Sequence, residues 1–97
     1  MNILLLLACH FLGDFGFQSK WVAENKGKNW EVNFYHAATY TAVFIIFAKM
    51  SLAATIILLV SHFFIDPLSS RWKIIKHIWI DQILHILILA TIIFFKI

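Results

Sequence analysis

The sequence predicts an all-α polytopic membrane protein, a four-helix transmembrane bundle. Three observations carry that prediction. The first is composition: of 97 residues, 62% are hydrophobic and 13% charged, with a mean hydropathy of +0.85. An ordinary soluble domain is about 45–50% apolar and about 25% charged, and a small one needs many polar side chains to cover its surface. This composition argues against a soluble globular protein and against intrinsic disorder. The second observation is four apolar segments separated by polar loops. The third is that the polar residues inside those segments recur at four-residue steps, which is one face of a helix.

The length allows a single transmembrane domain over 1–97. The four segments run from about Asn2 to Gln18, Phe34 to Phe47, Ser51 to Asp66 and Ile78 to Ile97. A full span needs roughly 20 residues, with about 17 as the lower limit. Three segments are shorter, so they extend through interfacial residues or sit in a locally thinned bilayer. No period of two dominates, and unpaired strands do not cross lipid, so these are helices.

The connections differ in character. Ser19–Asn33 is polar, with a turn signal at Asn25-Lys26-Gly27-Lys28-Asn29 and a short interfacial helix expected over Ser19–Asn25. Lys49-Met50-Ser51 reads as a tight hairpin. Pro67 disfavours helical geometry at Asp66, so the third helix is expected to stop there. Ser69-Ser70-Arg71-Trp72-Lys73 then leads to the fourth helix. Gly13 and Gly16 are expected to permit close helix packing.

Charge sets the topology. Lys20, Lys26, Lys28, Arg71, Lys73 and Lys76 lie in the first and third loops, whereas Lys49 and Lys96 lie at the other end. Short loops rich in Lys and Arg stay cytoplasmic, which places both termini outside. Trp21, Trp30, Trp72 and Trp79 fall in or beside the same two loops, where indole rings favour the headgroup layer. The net charge of +3 is read as topology, with no nucleic acid as partner. Cys9 is the one cysteine, which excludes a disulfide scaffold or a multi-cysteine metal site. Leu6-Leu7-Ala8-Cys9 resembles a lipoprotein cleavage site, but no Lys or Arg precedes the apolar run. Cys9 is therefore expected to face lipid or a neighbouring helix.

The polar residues left inside the helices are His10, Asp14 and Gln18; His36 and Tyr40; His62 and Asp66; and Asp81, Gln82 and His85. Each of the three Asp has a His four positions away. Random placement would give one Asp such a neighbour roughly one time in ten, and all three together about once in a thousand. At about 1.5 Å rise per residue, all these groups lie within roughly 12 Å of the cytoplasmic helix ends. Two helices carry His-x-x-x-Asp toward that boundary and the fourth carries Asp-x-x-x-His away from it, as an antiparallel neighbour must to match depths.

Ionisable groups in hydrocarbon are costly and face the bundle interior, paired or functional. His10, Asp14, His36, His62, Asp66, Asp81 and His85 make a metal-ligand inventory. Gln18, Tyr40 and Gln82 are candidates to orient those ligands. Carboxylate with imidazole suits zinc, manganese, iron or cobalt, and seven ligands suffice for one or two divalent ions, zinc, manganese or iron. Bridged pairs serve phosphoryl chemistry, and bundle cores are known to hold such ligands. Haem needs only two His and leaves three Asp without a ligation role. His77, among Lys73, Lys76 and Trp79, reads as a solvated loop residue.

The motifs His10-Phe-Leu-Gly-Asp14-Phe-Gly-Phe-Gln18, Trp21, Ala23-Glu24-Asn25-Lys26, His36 with Tyr40, Ser61-His62-Phe-Phe-Ile-Asp66 and Asp81-Gln82-Ile-Leu-His85 resemble the small bacterial and phage membrane proteins of domain of unknown function 3307. The resemblance covers Leu4 to about Leu89 and implies a compact polytopic protein of the bacterial inner membrane, with no established activity. A looser likeness joins the chain to bacterial membrane-bound metal-dependent hydrolases, which place His/Asp motifs in short apolar helices. Helical zinc-dependent phospholipase C enzymes likewise use His-x-x-x-Asp pairs. Both likenesses are analogies of motif.

The expected function is metal-dependent hydrolysis of a phosphoester in a membrane lipid, an anionic lipid or a lipid-linked phosphate. Asp14 or Asp66, nearest the boundary, would activate water or bridge two ions. The alternative is a non-catalytic membrane module: an ion or proton conduit, or a structural subunit held by the His/Asp layer. A homo-oligomer or a membrane-protein partner fits either.

Overall fold

The computed structural model describes residues 3–16 and 18–96. The expected helix ends at Asn2 and Ile97 lie outside the described residues. The described chain is all-α, with no strand. Helix α1 spans Ile3–Phe11 and runs into a π-helical turn, Leu12–Gly16. Then come α2 (Lys20–Asn25), α3 (Trp30–Ala48), α4 (Leu52–Ser70) and α5 (Ile78–Phe94).

Local chemistry sets most of these boundaries. A side-chain oxygen at the N-cap satisfies the free N–H groups of the first turn. Ser19 Oγ accepts from Val22 N at the start of α2, and Ser51 Oγ from Ala54 N at the start of α4. Asn29 Oδ1 accepts from Glu31 N and Val32 N. That cap starts α3 at Trp30, four residues before the expected Phe34. Lys49 ends α3 in the left-handed region (φ 50°) and makes the expected hairpin.

Two expectations are corrected. The first segment is not a uniform α-helix: it opens into the π turn, where Gly13 lies against Tyr40. A Cβ on Gly13 would stand 3.1 Å from Tyr40 Cα, so glycine is what lets α3 approach. Gly16 plays no such part, since a Cβ there would meet only Leu12 of its own turn.

The second correction is Pro67, which does not end α4. Proline in a helix leaves the carbonyl four residues back without its donor. That carbonyl is Phe63 O, and Asn33 Nδ2 of α3 donates to it at 3.1 Å. The tertiary hydrogen bond replaces the missing helical one, and the helix continues to Ser70. The Ser69 and Ser70 hydroxyls donate back to Asp66 O at 3.1 and 3.0 Å within the added turn.

Helix α1 packs on α3 and α5, α3 on α4, and α4 on α5, closing a ring of four; α2 lies against α3. The four-residue steps stack the interior in layers. Leu6, Phe44, Leu58 and Leu89 belong to the buried apolar cluster. One step along, His10, Tyr40, His62 and His85 touch ring to ring. A further step brings Asp14, His36, Asp66 and Asp81, all buried. Cys9 faces inward, in the apolar cluster.

Outside, the order is inverted. Ile46 is 69% exposed, Leu52 76%, Phe64 64% and Phe94 78%. Among the described residues, α4 is the one helix long and apolar enough to cross a membrane by length and composition. The Ile3–Gly16 stretch and α5 are apolar but shorter, and α3, equally long, is interrupted by Asn33, His36, Thr39, Tyr40 and Thr41.

The Asn33–Phe63 bond yields a test. Asn33→Leu is expected to cost about 1–3 kcal/mol by stranding a buried acceptor. In a Pro67→Ala background the loss should be clearly smaller, because residue 67 then supplies an N–H. Thermal unfolding of the four proteins in detergent measures the cycle; equal losses in both backgrounds would refute the replacement.

Candidate metal centre

The carboxylate of Asp14, carried inward by the π turn, lies at the middle of the polar end. Such turns occur mostly as single turns within α-helices, frequently at functional sites. Asp14 Oδ1 stands 3.3 Å from His36 Nε2 and 3.6 Å from His62 Nε2. Its Oδ2 accepts from Gln82 Nε2 at 3.0 Å. Two groups of potential ligands form around it, one of Asp14, His36, His62 and Asp66, the other of Asp14, Asp81 and His85. Within each group the ligand atoms lie within 4.8 Å of one another, and all six residues are buried. Asp14 belongs to both.

The spacing suits coordination better than hydrogen bonding. His62 Nε2 and His85 Nε2 are buried without a hydrogen-bond partner, although each stands 3.5–3.6 Å from an Asp oxygen. An N–H···O bond is about 2.7–3.2 Å long. Two N or O ligands about 2.0–2.2 Å from a tetrahedral zinc stand roughly 3.3–3.6 Å apart. A buried polar atom left unpaired costs about 1–3 kcal/mol, so two imidazole nitrogens converging on carboxylates fit a cation between them. The residues present therefore fit a metal ion, and Asp14 is common to both groups.

His10 is not brought into either group. Tyr40 OH lies 2.7 Å from His10 Nδ1, and Gln82 Oε1 lies 2.6 Å from His10 Nε2. The carboxylates fix the direction of this chain. Gln82 turns its NH2 toward Asp14 Oδ2 and Asp81 Oδ2, so its Oε1 must accept. His10 then carries its proton on Nε2, and Tyr40 donates to Nδ1. With both nitrogens committed, His10 orients Gln82 and, through it, two carboxylates. Residues around a metal site commonly orient its ligands in this way. Tyr40 also stacks on His62, with ring centroids 4.1 Å apart.

Gln18 acts at one remove. It accepts from Lys26 Nζ at 2.7 Å, and Lys26 Nζ lies 3.3 Å from Asp66 Oδ1. Sequence reasoning missed Lys26, reading it as one of several loop cations. The signal was next door: a Cβ at Gly27 would collide with the Ser70 carbonyl, so glycine lets this loop press on the end of α4. Ser69 and Ser70 were also missed, because α4 was expected to end before them. Ser70 Oγ lies 3.4 Å from Asp66 Oδ2, and Ser69 Oγ 3.5 Å from Asp81 Oδ1. His77 stays outside the site, exposed and stacked on Trp79.

Residues 2–97 match the family described as Protein of unknown function (DUF3307). The chain belongs to the DUF3307 family. No curated protein and no solved structure matches it. The family description carries no activity.

The two groups predict a graded loss of metal. Asp14→Asn should lower bound metal the most, His62→Ala and Asp66→Asn less, and His77→Ala not at all. Elemental analysis of purified protein gives the ratios; equal retention across all four would exclude the site. Ligands must be deprotonated to bind, so metal affinity should fall as the pH is lowered.

Proposed function

We propose that this protein is a four-helix integral membrane protein whose buried His/Asp centre lies near the cytoplasmic face and hydrolyses a phosphoester of a membrane lipid. One observation carries the reading: Asp14 is shared by two groups of potential ligands, and two of their imidazole nitrogens are buried without a hydrogen-bond partner. The apolar exterior supports a lipid surround, because large contiguous apolar surface is rare on soluble monomers. The polar layers lie at the end of the bundle that carries most of the Lys and Arg, and the positive-inside rule supports the reading of that end as cytoplasmic.

Asp14, His36, His62 and Asp66 would hold one ion, and Asp14, Asp81 and His85 a second. Bound divalent ions lower the pKa of water and neutralise charge on phosphoryl oxygens. Asp14 would be held in place by Gln82, whose amide is oriented by His10 and Tyr40. Asp66 would take the proton from the attacking water. Lys26, 3.3 Å from Asp66, brings a fixed positive charge to the same edge of the site, where phosphoryl charge would collect.

The competing readings fit less well. A conduit would have to continue past the His layer, where Leu6, Phe44, Leu58 and Leu89 fill the interior. A layer that only held the helices together leaves the two unpaired imidazole nitrogens without a role.

Topology is testable first. Lys28→Cys and Arg71→Cys should resist membrane-impermeant thiol reagents added to intact cells, whereas Met50→Cys should react. Cys9 is buried and stays silent. Labelling at residue 28 from outside would reverse the orientation.

Activity is tested in mixed micelles by release of phosphate or headgroup from phosphatidic acid, phosphatidylglycerol and a polyprenyl phosphate. Turnover is expected with zinc, manganese or iron and should vanish with chelator. Asp14→Asn should insert and fold normally yet lose activity by about 10²-fold or more, the scale of removing a positioned acid–base or electrostatic group. Release from none of these lipids after metal is restored would leave a metal-stapled module and end the enzyme reading.

A further inference from the structure

Beside the His/Asp centre, two cavities meet at one lysine. The first is an open groove of about 840 Å³ between the end of α1 and the start of α5. Its walls are apolar: Phe11 and Phe15, stacked with centroids 6.3 Å apart, face Trp79 and Ile83. The second is a polar pocket of about 220 Å³ bordered by Ser69, Lys76, His77 and Asp81. Lys76, His77 and Ile78 line both.

The two cavities differ in chemistry as the two ends of an amphiphile differ. Gln82 also lines the apolar groove, and its amide donates to Asp14 and Asp81. One side chain therefore separates the groove from both ligand groups. The polar pocket reaches Asp81 directly. Lys76 is exposed and makes no hydrogen bond or ion pair among the described residues, in contrast to Lys26 and Arg71, which are both engaged. An unpaired ammonium at the junction of an apolar groove and a polar pocket complements an anionic phosphate at the head of a hydrocarbon chain.

We propose that this groove receives an apolar chain of an anionic phospholipid from the side, with the lipid phosphate held by Lys76 at the mouth of the polar pocket. The proposal rests on the hydrolase reading only for the fate of the lipid once bound, since groove, lysine and lipid need no metal to meet. Asp81 repels the phosphate when no cation is bound, which keeps the headgroup at Lys76. With a cation held by Asp81 and His85, the same pocket would lead the phosphate inward. Gln82, oriented from behind by His10, is the wall between chain and centre.

The test uses the whole protein in neutral detergent micelles with chelator present. Phosphatidic acid carrying a photoreactive diazirine in one acyl chain is compared with the phosphatidylcholine of the same chains, and adducts are mapped by peptide mass spectrometry. Adducts from phosphatidic acid should concentrate on 11–15 and 78–83, in excess over phosphatidylcholine. Lys76→Gln should cut that excess by about fivefold, the preference one Lys confers near anionic lipid. Lys49→Gln, at the opposite end, should leave it unchanged. Ile83→Trp, which fills the groove with an apolar ring, should lower adducts from both lipids at 11–15.

Adducts spread evenly over the exterior, including Ile46, Phe64 and Phe94, would overturn the groove. Equal yields from the two lipids, or no effect of Lys76→Gln, would overturn the role of the lysine. Because chelator is present throughout, failure here is separate from failure of hydrolysis. Mapped adducts without turnover would sink the enzyme reading alone, and turnover without mapped adducts would sink the groove alone.

Discussion

The polar end of this bundle depends on one buried carboxylate. Asp14 is 3% exposed, and a charge so placed is tolerated only when its surroundings compensate it. Contacts arrive from three helices: His36 from α3, His62 from α4 and Gln82 from α5. Tyr40, His10 and Gln82 form a chain in which every proton points toward Asp14 and Asp81. That direction follows from the acceptor-only character of the carboxylates. It engages both nitrogens of His10, which stands outside both His/Asp groups, a placement that residue type does not reveal.

Around this carboxylate the helices share a four-residue register. The interior passes from Leu6, Phe44, Leu58 and Leu89 through a layer of aromatic and imidazole rings to a layer of three carboxylates and His36. The apolar layer closes the bundle on one side of the rings. The buried carboxylates and His36 therefore lie on the other side, next to the long loops.

The loops belong to the site. Gly27 presses against the end of α4, and Arg71 Nη1 donates to Gly27 O while its guanidinium lies 4.6 Å from the Trp30 ring centroid. Trp72 packs edge-on against Trp30. This clasp joins the first and third loops and holds Lys26 over Asp66. The extra turn of α4 beyond Pro67 supplies Ser69 and Ser70 to the same region. That turn exists because Asn33 on α3 satisfies Phe63 O, so a hydrogen bond on one side of Pro67 helps place hydroxyls on the other.

The sequence by itself determined the all-α class, the approximate helices, the hairpin at Lys49-Met50-Ser51 and the four-residue steps of His and Asp, of which Asp81 and His85 pair with each other in the structure. These follow from local rules: apolar runs, caps and the 3.6-residue period that places residues four apart on one face. It also singled out Gln18, Tyr40 and Gln82 as polar groups that need partners at that depth, and each makes a side-chain hydrogen bond. Only the tertiary structure decided which polar groups meet. His10 stands outside both His/Asp groups, and Tyr40 and Gln82, 30 and 72 residues away, take both its nitrogens. Helix α4 ran through Pro67 because a donor on another helix replaced the lost N–H, which no local rule on proline anticipates. Lys26 joined Asp66, 40 residues on, because Gly27 allowed a loop to touch a helix end. In each case local propensity set what a residue can offer, and long-range packing set the partner, since hydrogen-bonding atoms at one place in space carry no common mark along the chain.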